Sequence, residues 1–392
     1  MDLQLQLTMN EGVILLLRFL KMDLHKQNEV FMRRAIELAE SAWGQTHANP
    51  MVGALIVHNG FIVSEAYHER SGASHAEINA LNAFKEIPND ETTLFITLEP
   101  CSTVGRTGAC TEAIIRSGIR RIVVGTLDPN PEHSGEGIEF LKREGIAVIY
   151  GVLEAECRDL NLLFNHWIVK KKPFFALKVA MTLDGALAAS SGHSKWITSE
   201  EARADVMRWR RLFPAILVSY KTVEQDNPKL TSRTSEEVFC PRRFVFNRSL
   251  KGIEKCVDYT VFNDEFKGRT TIIYGESAPI DAIKQLDSLG ISAWKVKETD
   301  GKLDVNDFLK HCAEEGLIGV FIEAGAELST YLLSKKLVDY MFAYQAPKLL
   351  LDANAYSLGT STETQHMSEA ISLQSIQRKC FTEDFLLRGY LS

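Results

Sequence analysis

Apolar positions in the first part of the chain recur at a helical interval and then give way to short, continuous runs. Phe31, Ala35, Leu38, Ala39 and Ala42 share one face of a 3.6-residue repeat and predict an amphipathic helix ending before His47-Ala48-Asn49-Pro50. A strand over 51–57 and a return strand over 61–64 flank Asn59-Gly60, the strongest short hairpin signal, with His58 lengthening the loop. A helix carrying Ile78, Leu81 and Phe84 follows. Next come a strand over 94–98, a helix opening at Cys110, a strand over 122–126, a helix over 137–143 and a strand over 147–150. Such alternation predicts a sheet flanked by helices.

A helix over 153–167, marked by Leu153, Leu160, Leu163, Phe164 and Trp167, runs into Lys170-Lys171-Lys172-Pro173. A basic run closed by proline reads as a solvated linker, so the domain boundary falls there. The second half alternates again. Strands are predicted over 174–180, 215–219, 243–246, 271–274, 320–323 and 341–345, helices over 199–212, 281–289 and 305–315, and a turn at Asp184-Gly185. The organisation expected is an N-terminal extension over 1–25, one α/β domain over 26–170 and another over 173–392. Met22 makes a more ordinary start than Met1, and Val13-Ile14-Leu15-Leu16-Leu17 is too short an apolar run to span a bilayer.

At 392 residues, two cores are the default. A hydrophobic share of 45%, a charged share of 24% and a net charge of −7 fit a water-soluble protein with no nucleic-acid footprint and no membrane segment. Seven cysteines without regular spacing argue for a reducing compartment, hence a cytoplasmic location.

The candidate chemistry lies in His75-Ala76-Glu77, Pro100-Cys101 and Cys110. One imidazole and two thiols are the ligand set of a catalytic zinc site, which keeps its fourth position for water and lowers that water's pKa to about 7. Glu77 stands where the zinc nucleobase deaminases, with His-x-Glu and Pro-Cys-x-x-Cys, carry a general acid/base that is not a ligand. The stretch from Ser102 to Ala109 makes the cysteine spacing longer than that pattern. Ser74 and Glu77 could also form a capping box on the following helix. His75 and Cys110 each fall at a predicted helix start, where peptide dipoles favour thiolate. A structural zinc site would need a fourth ligand of suitable spacing, and an RNA-editing module would need a basic stripe; neither is visible. Gly-x-Gly-x-x-Gly is missing from the second half, so a Rossmann dinucleotide site is not indicated.

Taken in order, His47-Ala48-Asn49-Pro50-Met51-Val52-Gly53, Gly72 to Glu77, Thr97-Leu98-Glu99-Pro100-Cys101-Ser102, Gly105-Arg106-Thr107, Cys110 and Asp128-Pro129-Asn130-Pro131 resemble the deaminase half of the bifunctional deaminase/reductase family of riboflavin biosynthesis. That family places its second cysteine nine positions after the first, as here. Leu177 to Gly185, His193 to Thr198, Glu201-Ala202-Arg203, Thr222-Val223, Asp226-Asn227-Pro228, Leu230 to Arg233 and Glu323-Ala324-Gly325 resemble its reductase half. The likeness runs from about residue 28 almost to the end.

This resemblance implies a cytidine-deaminase-like three-layer α/β/α domain followed by a dihydrofolate-reductase-like α/β domain. It implies zinc-dependent hydrolytic deamination of a phosphoribosylated aminopyrimidine, then reduction of the ribosyl side chain to ribityl with NADPH. The implied metal ligands are His75, Cys101 and Cys110, and the implied catalytic residues are Glu77 and Lys178. Asn49, His68, Arg106, Ser194, Arg210, Leu230, Arg233 and Glu323 would hold substrate, and Ala180, Trp196, Thr222, Asp226 and Gly325 the cofactor. A homo-oligomer, dimer or tetramer, is implied as well. The family usually shows glycine at Ser219, aspartate at Asn227 and Asn247, Gly-Gly at Ala324-Gly325 and glycine near Leu350. These departures leave a competing reading, a deaminase whose C-terminal domain no longer reduces.

Overall fold

Helix α1, Leu24–Glu40, is capped by Asp23, whose carboxylate accepts from the Lys26 N–H at 2.9 Å. The computed structural model describes residues 23–102, 109–234, 238–359 and 365–392, and divides between Val169 and Lys170 into two compact units. In the first unit, strands β1 (Gly53–His58), β2 (Phe61–Tyr67), β3 (Thr93–Leu98), β4 (Arg121–Thr126) and β5 (Ala147–Tyr150) form a five-stranded sheet ordered β2-β1-β3-β4-β5. β1 runs antiparallel to β2 and β3, whereas β3, β4 and β5 are parallel.

Alternation along the strands builds two cores. Ala54, Ile56, Leu94, Ile96, Ile122 and Val124 pack with residues of helices α2 (Ala76–Ala83), α3 (Cys110–Ser117) and α4 (Glu136–Arg143). Leu55, Val57, Phe95 and Val123 face the other way, onto Met32 and Ala35 of α1 and Cys157 of helix α5 (Glu154–Leu160). The result is the expected three-layer α/β/α arrangement. At Gly53 a Cβ would collide with the Ala35 carbonyl, so the close approach of α1 to β1 requires glycine.

Three local expectations are corrected. His58 does not lengthen the hairpin loop; it pairs with Phe61, its buried ring lying 2.7 Å from Thr92 Oγ1, and the loop is Asn59-Gly60 alone, both with positive φ as a type I′ turn requires. The Ser74/Glu77 capping box does not form, because His75 is the N-cap residue of α2 and makes no side-chain cap bond, while Glu77 turns inward. The single helix expected over 153–167 is two, α5 and α6 (Leu162–Lys170). Asn161 breaks it, its amide being taken by the backbone of Met51 through Met51 N–H to Oδ1 at 2.7 Å and Nδ2 to Met51 O at 2.9 Å.

The second unit holds a nine-stranded sheet. The nine strands and the longer helices are, in chain order, β6 (Phe174–Met181), α7 (Glu200–Leu212), β7 (Ala215–Ser219), α8 (Tyr220–Asp226), β8 (Arg242–Phe246), β9 (Thr270–Tyr274), α9 (Ile280–Ser288), β10 (Ser292–Lys295), α10 (Val305–Glu314), β11 (Gly319–Ile322), α11 (Ala326–Ser334), β12 (Tyr340–Gln345), β13 (Leu373–Cys380) and β14 (Phe385–Leu391). The spatial order is β10-β9-β8-β7-β11-β6-β12-β14-β13, parallel from β10 through β12 and antiparallel for the last two strands. Ala215, Leu217, Phe244, Phe246 and Ile273 pack on α10, while Ile216, Val218, Val245 and Ile272 face Val223 and Leu286 on the opposite side. Among the described residues, no helix is long and apolar enough to cross a membrane.

Candidate functional site

Strand β3 ends at Leu98 and delivers Cys101 just beyond it, while α2 and α3 present His75 and Cys110 at their N-termini. His75 Nδ1 lies 3.2 Å from Cys110 Sγ and 3.7 Å from Cys101 Sγ, and the three ligand atoms all fall within 4.8 Å of one another. A tetrahedral zinc with Zn–N of about 2.05 Å and Zn–S of about 2.3 Å has ligand–ligand edges of about 3.6–3.8 Å. The His75–Cys101 edge matches and the His75–Cys110 edge is shorter, so a small side-chain adjustment would seat that ion. Hydrogen bonding from the Cys110 thiol and then from His75 holds Cys101 far below the ordinary thiol range, to about 4, against the opposing pull of burial. The backbone N–H of Cys110 adds a contact to the same sulfur at 3.4 Å.

Glu77, in the first turn of α2, is only 4% exposed and lies in hydrogen-bond contact with Cys110. Burial pushes its carboxyl above the ordinary range. His68 follows β2 and is buried edge-on against His75, with ring centroids 5.7 Å apart. Its Nδ1 donates to the Ser74 carbonyl at 3.1 Å, leaving Nε2 to accept from Asn49 Nδ2 at 3.3 Å. Burial lowers its pKa. Asn49, His68, His75, Glu77, Cys101 and Cys110 are thus gathered in one place. Arg106 lies outside the described residues.

Glu99 was not foreseen by the motif reading. Buried beside Pro100, its carboxylate accepts the N–H groups of Asp128 (3.0 Å), Gly135 (2.9 Å), Gly137 (2.9 Å) and Ile138 (3.3 Å). At Gly137 a side chain would collide with the Pro100 carbonyl. Glu99 therefore ties the start of α4 and the loop before it to the segment that carries Cys101.

In the second unit, Glu323 follows β11 and meets Arg210 of α7 in a two-pronged ion pair, Nε to Oε1 at 2.5 Å and Nη2 to Oε2 at 2.9 Å. Lys178 of β6 approaches the same carboxylate at 3.9 Å. Arg210 also donates to the Thr231 carbonyl at 3.0 Å, and Arg233 to Thr231 Oγ1 at 2.9 Å. Burial works to raise the Glu323 pKa, but Arg210, with Lys178 and Arg233, outweighs it and holds the carboxyl below its ordinary value. Burial lowers Lys178. A carboxylate ringed by three cations leaves positive charge over for an anionic ligand.

Other residues expected at substrate or cofactor are placed as follows. Ala180 shares a strand face with Lys178. Ser194 Oγ lies 3.4 Å from Asp226 Oδ1, and Gly325 sits beside Thr222, whose Oγ1 would be 3.9 Å from an added Cβ. The Trp196 ring is exposed and faces the Arg203 guanidinium at 4.4 Å. Leu230 is 2% exposed, its side chain packed in the core with Val223 and Tyr220, so only its backbone can meet a ligand.

The unusual residues have local partners. Ser219 caps α8 by accepting from Thr222 N–H at 3.2 Å, Asn227 Oδ1 accepts from Thr260 N–H at 2.7 Å, and Asn247 donates to the Lys251 carbonyl at 3.0 Å. Ala324 is not in the left-handed region and Gly325 has φ −69, so the methyl of Ala324 meets no backbone strain.

Fold and site together define the class, a deaminase of the zinc-binding kind joined to a reductase. The family model described as "Cytidine and deoxycytidylate deaminase zinc-binding region" matches residues 25–126, and that described as "RibD C-terminal domain" matches residues 173–381. The riboflavin biosynthesis protein RibD of Actinobacillus pleuropneumoniae is 37% identical over 91% of this chain and 93% of its own length. That of Aquifex aeolicus is 39% identical over 82% and 87%. Among solved structures, Acinetobacter baumannii RibD is similar at 31% identity with TM-score 0.75, and a Thermotoga maritima diaminohydroxyphosphoribosylaminopyrimidine deaminase/5-amino-6-(5-phosphoribosylamino)uracil reductase at 32% with TM-score 0.73; each comparison covers 94% of this chain and 99% of the other. The chain belongs to the RibD family of riboflavin biosynthesis. It is a bifunctional deaminase/reductase acting on a small molecule, and the reading of a C-terminal domain without reductase function is not favoured.

Proposed function

We propose that the first unit deaminates diaminohydroxyphosphoribosylaminopyrimidine and that the second reduces the ribosyl side chain of the product to ribityl with NADPH. The meeting of His75, Cys101 and Cys110 beside the buried Glu77 carries this reading for the first half. These three side chains would hold a zinc ion, whose Lewis acidity lowers the pKa of a water to about 7. Glu77 would take the proton from the attacking water and pass it to the leaving amine, so that the ring carbon gains oxygen and ammonia departs. Asn49 and His68 would orient the pyrimidine, His68 with its tautomer fixed by the Ser74 carbonyl. Arg106 would meet the phosphate.

In the second half, bound NADPH would supply a hydride to the ribosyl C1, whose ring oxygen would need a proton. Lys178, lowered by burial beside Glu323, would donate that proton. Arg210, Arg233, Ser194 and the Leu230 backbone would hold the sugar phosphate, with Glu323 fixing Arg210. Ala180, Trp196, Thr222, Asp226 and Gly325 would line the cofactor. A homo-oligomer in the cytoplasm completes the proposal.

The test is a two-signal assay on purified protein with the aminopyrimidine phosphate. Ammonia release without NADPH, followed by loss of reduced-cofactor absorbance when NADPH is added, is expected. Ammonia release with no cofactor oxidation contradicts the second half of the proposal, and no ammonia contradicts the first.

A further inference from the structure

The chain leaving β12 is fastened to two other segments of the second unit. On one side it meets the turn after β6, where Ala346 N–H donates to Met181 O at 2.9 Å and Leu183 N–H donates to Lys348 O at 2.7 Å. Asp184 completes that junction, its carboxylate accepting from Leu350 N–H at 3.0 Å and Leu351 N–H at 2.8 Å. On the other side, Lys348 Nζ donates to two successive carbonyls, Trp196 O at 2.9 Å and Ile197 O at 2.8 Å.

An exposed lysine normally keeps its rotamer freedom and its ammonium in water. Here one ammonium is spent on two backbone carbonyls of a loop whose next residues are also held, Thr198 O by Arg203 Nη1 at 2.6 Å and Ser199 N–H by Asp384 at 2.6 Å. The Trp196 ring is 67% exposed, with Arg203 against one face at 4.4 Å, and packing into a core cannot fix its position. The loop's backbone, together with the Arg203 guanidinium, must do so. The joined segments leave the carboxyl ends of β6 and β12, neighbouring parallel strands, and ligands of such sheets bind outside those ends. β6 also carries Lys178 and Ala180.

We propose that Lys348 is a positioning residue for the reduction: its ammonium clips the Trp196-Ile197 backbone to the junction held by Asp184, and so sets where the indole stands as a wall for NADPH. This rests on the reading of Trp196 as a cofactor residue. Loss of the clip frees the loop, and NADPH must then reorder it on binding, which weakens affinity without changing the groups that touch the reacting atoms.

Lys348→Met, Lys348→Arg and Trp196→Ala in the full-length chain test this, with KM and kcat for NADPH measured on the deaminated substrate and ammonia release as an internal control. Lys348→Met is expected to raise KM for NADPH about tenfold, equivalent to about 1.4 kcal/mol, with kcat within about twofold and ammonia release unchanged. Lys348→Arg, which keeps the charge and the donors, is expected to restore most of the affinity. Trp196→Ala is expected to raise KM at least as much. A Lys348→Met enzyme with wild-type KM, alongside a Trp196→Ala enzyme with raised KM, overturns the clip while leaving Trp196 at the cofactor. Unchanged KM in Trp196→Ala overturns the reading of Trp196 itself, and the clip's purpose with it. A fall in kcat at constant KM makes Lys348 merely structural and also overturns the proposal.

Discussion

The Nδ1 atom of His75 and the Sγ atom of Cys110 stand 3.2 Å apart although 35 positions separate them in the chain. One is the N-cap of α2 and the other the first residue of α3, so two helix N-termini converge on the end of β3. Both helix dipoles then favour negative charge on the sulfur atoms that a divalent cation would share.

Glu77→Gln is expected to retain zinc and to lower the rate of ammonia release by about 10²–10⁴-fold, the range of a lost general acid/base. Oxidation of NADPH with deaminated substrate should continue unchanged. Zinc content and initial ammonia rates check this; a variant within tenfold of wild type would leave the carboxylate without a proton role.

Lys178→Ala is expected to spare ammonia release and to lower NADPH oxidation by at least about 10²-fold. Steady-state rates of the two half-reactions, measured separately, decide it. Equal loss of both would contradict two separable sites.

Glu323 gives a pH signature. Its carboxyl lies below the ordinary 4.5, so the stability it contributes is complete above 4.5 and is lost as pH falls through the lowered value. Thermal unfolding of wild type from pH 7 down to 3 should therefore fall more steeply than that of Glu323→Gln. At pH 7 the variant should be less stable by about 3 kcal/mol, since Arg210 and Lys178 lose their shared partner. Parallel curves would contradict the role given to this ion pair.

Glu99→Gln keeps the side chain's shape but replaces one accepting oxygen by a donor that faces N–H groups. A stability loss of about 2–3 kcal/mol and faster transfer of zinc to a chelator are expected, because the loop before α4 no longer anchors the Cys101 segment. Chelator kinetics on the zinc-loaded protein provide the measurement, and an unchanged rate would confine Glu99 to the loop alone.

How much was legible in the sequence follows from the range of the interactions. The buried strands announced themselves as continuous apolar runs, and His75, Glu77, Cys101 and Cys110 as a pattern of ligands and proton carrier. The hairpin of β13 and β14 was missed because β13 is mostly exposed and polar, with no alternation to read. The capping box failed because Ser-x-x-Glu specifies a helix start only when the glutamate stays on the surface, and Glu77 is needed inside. Contacts such as Lys348 with Trp196 and Asp184 with Leu350 span 152 and 166 positions, and no local pattern encodes them.

Zinc-edge X-ray absorption on the purified, zinc-loaded chain, with the metal counted per polypeptide, tests the His75, Cys101 and Cys110 site directly. One zinc per chain is expected, bound by one imidazole nitrogen at about 2.0–2.1 Å, two sulfurs at about 2.3 Å and one light solvent ligand, with one sulfur lost in Cys101→Ser. Four protein ligands, or a zinc signal unchanged in Cys101→Ser, would contradict it.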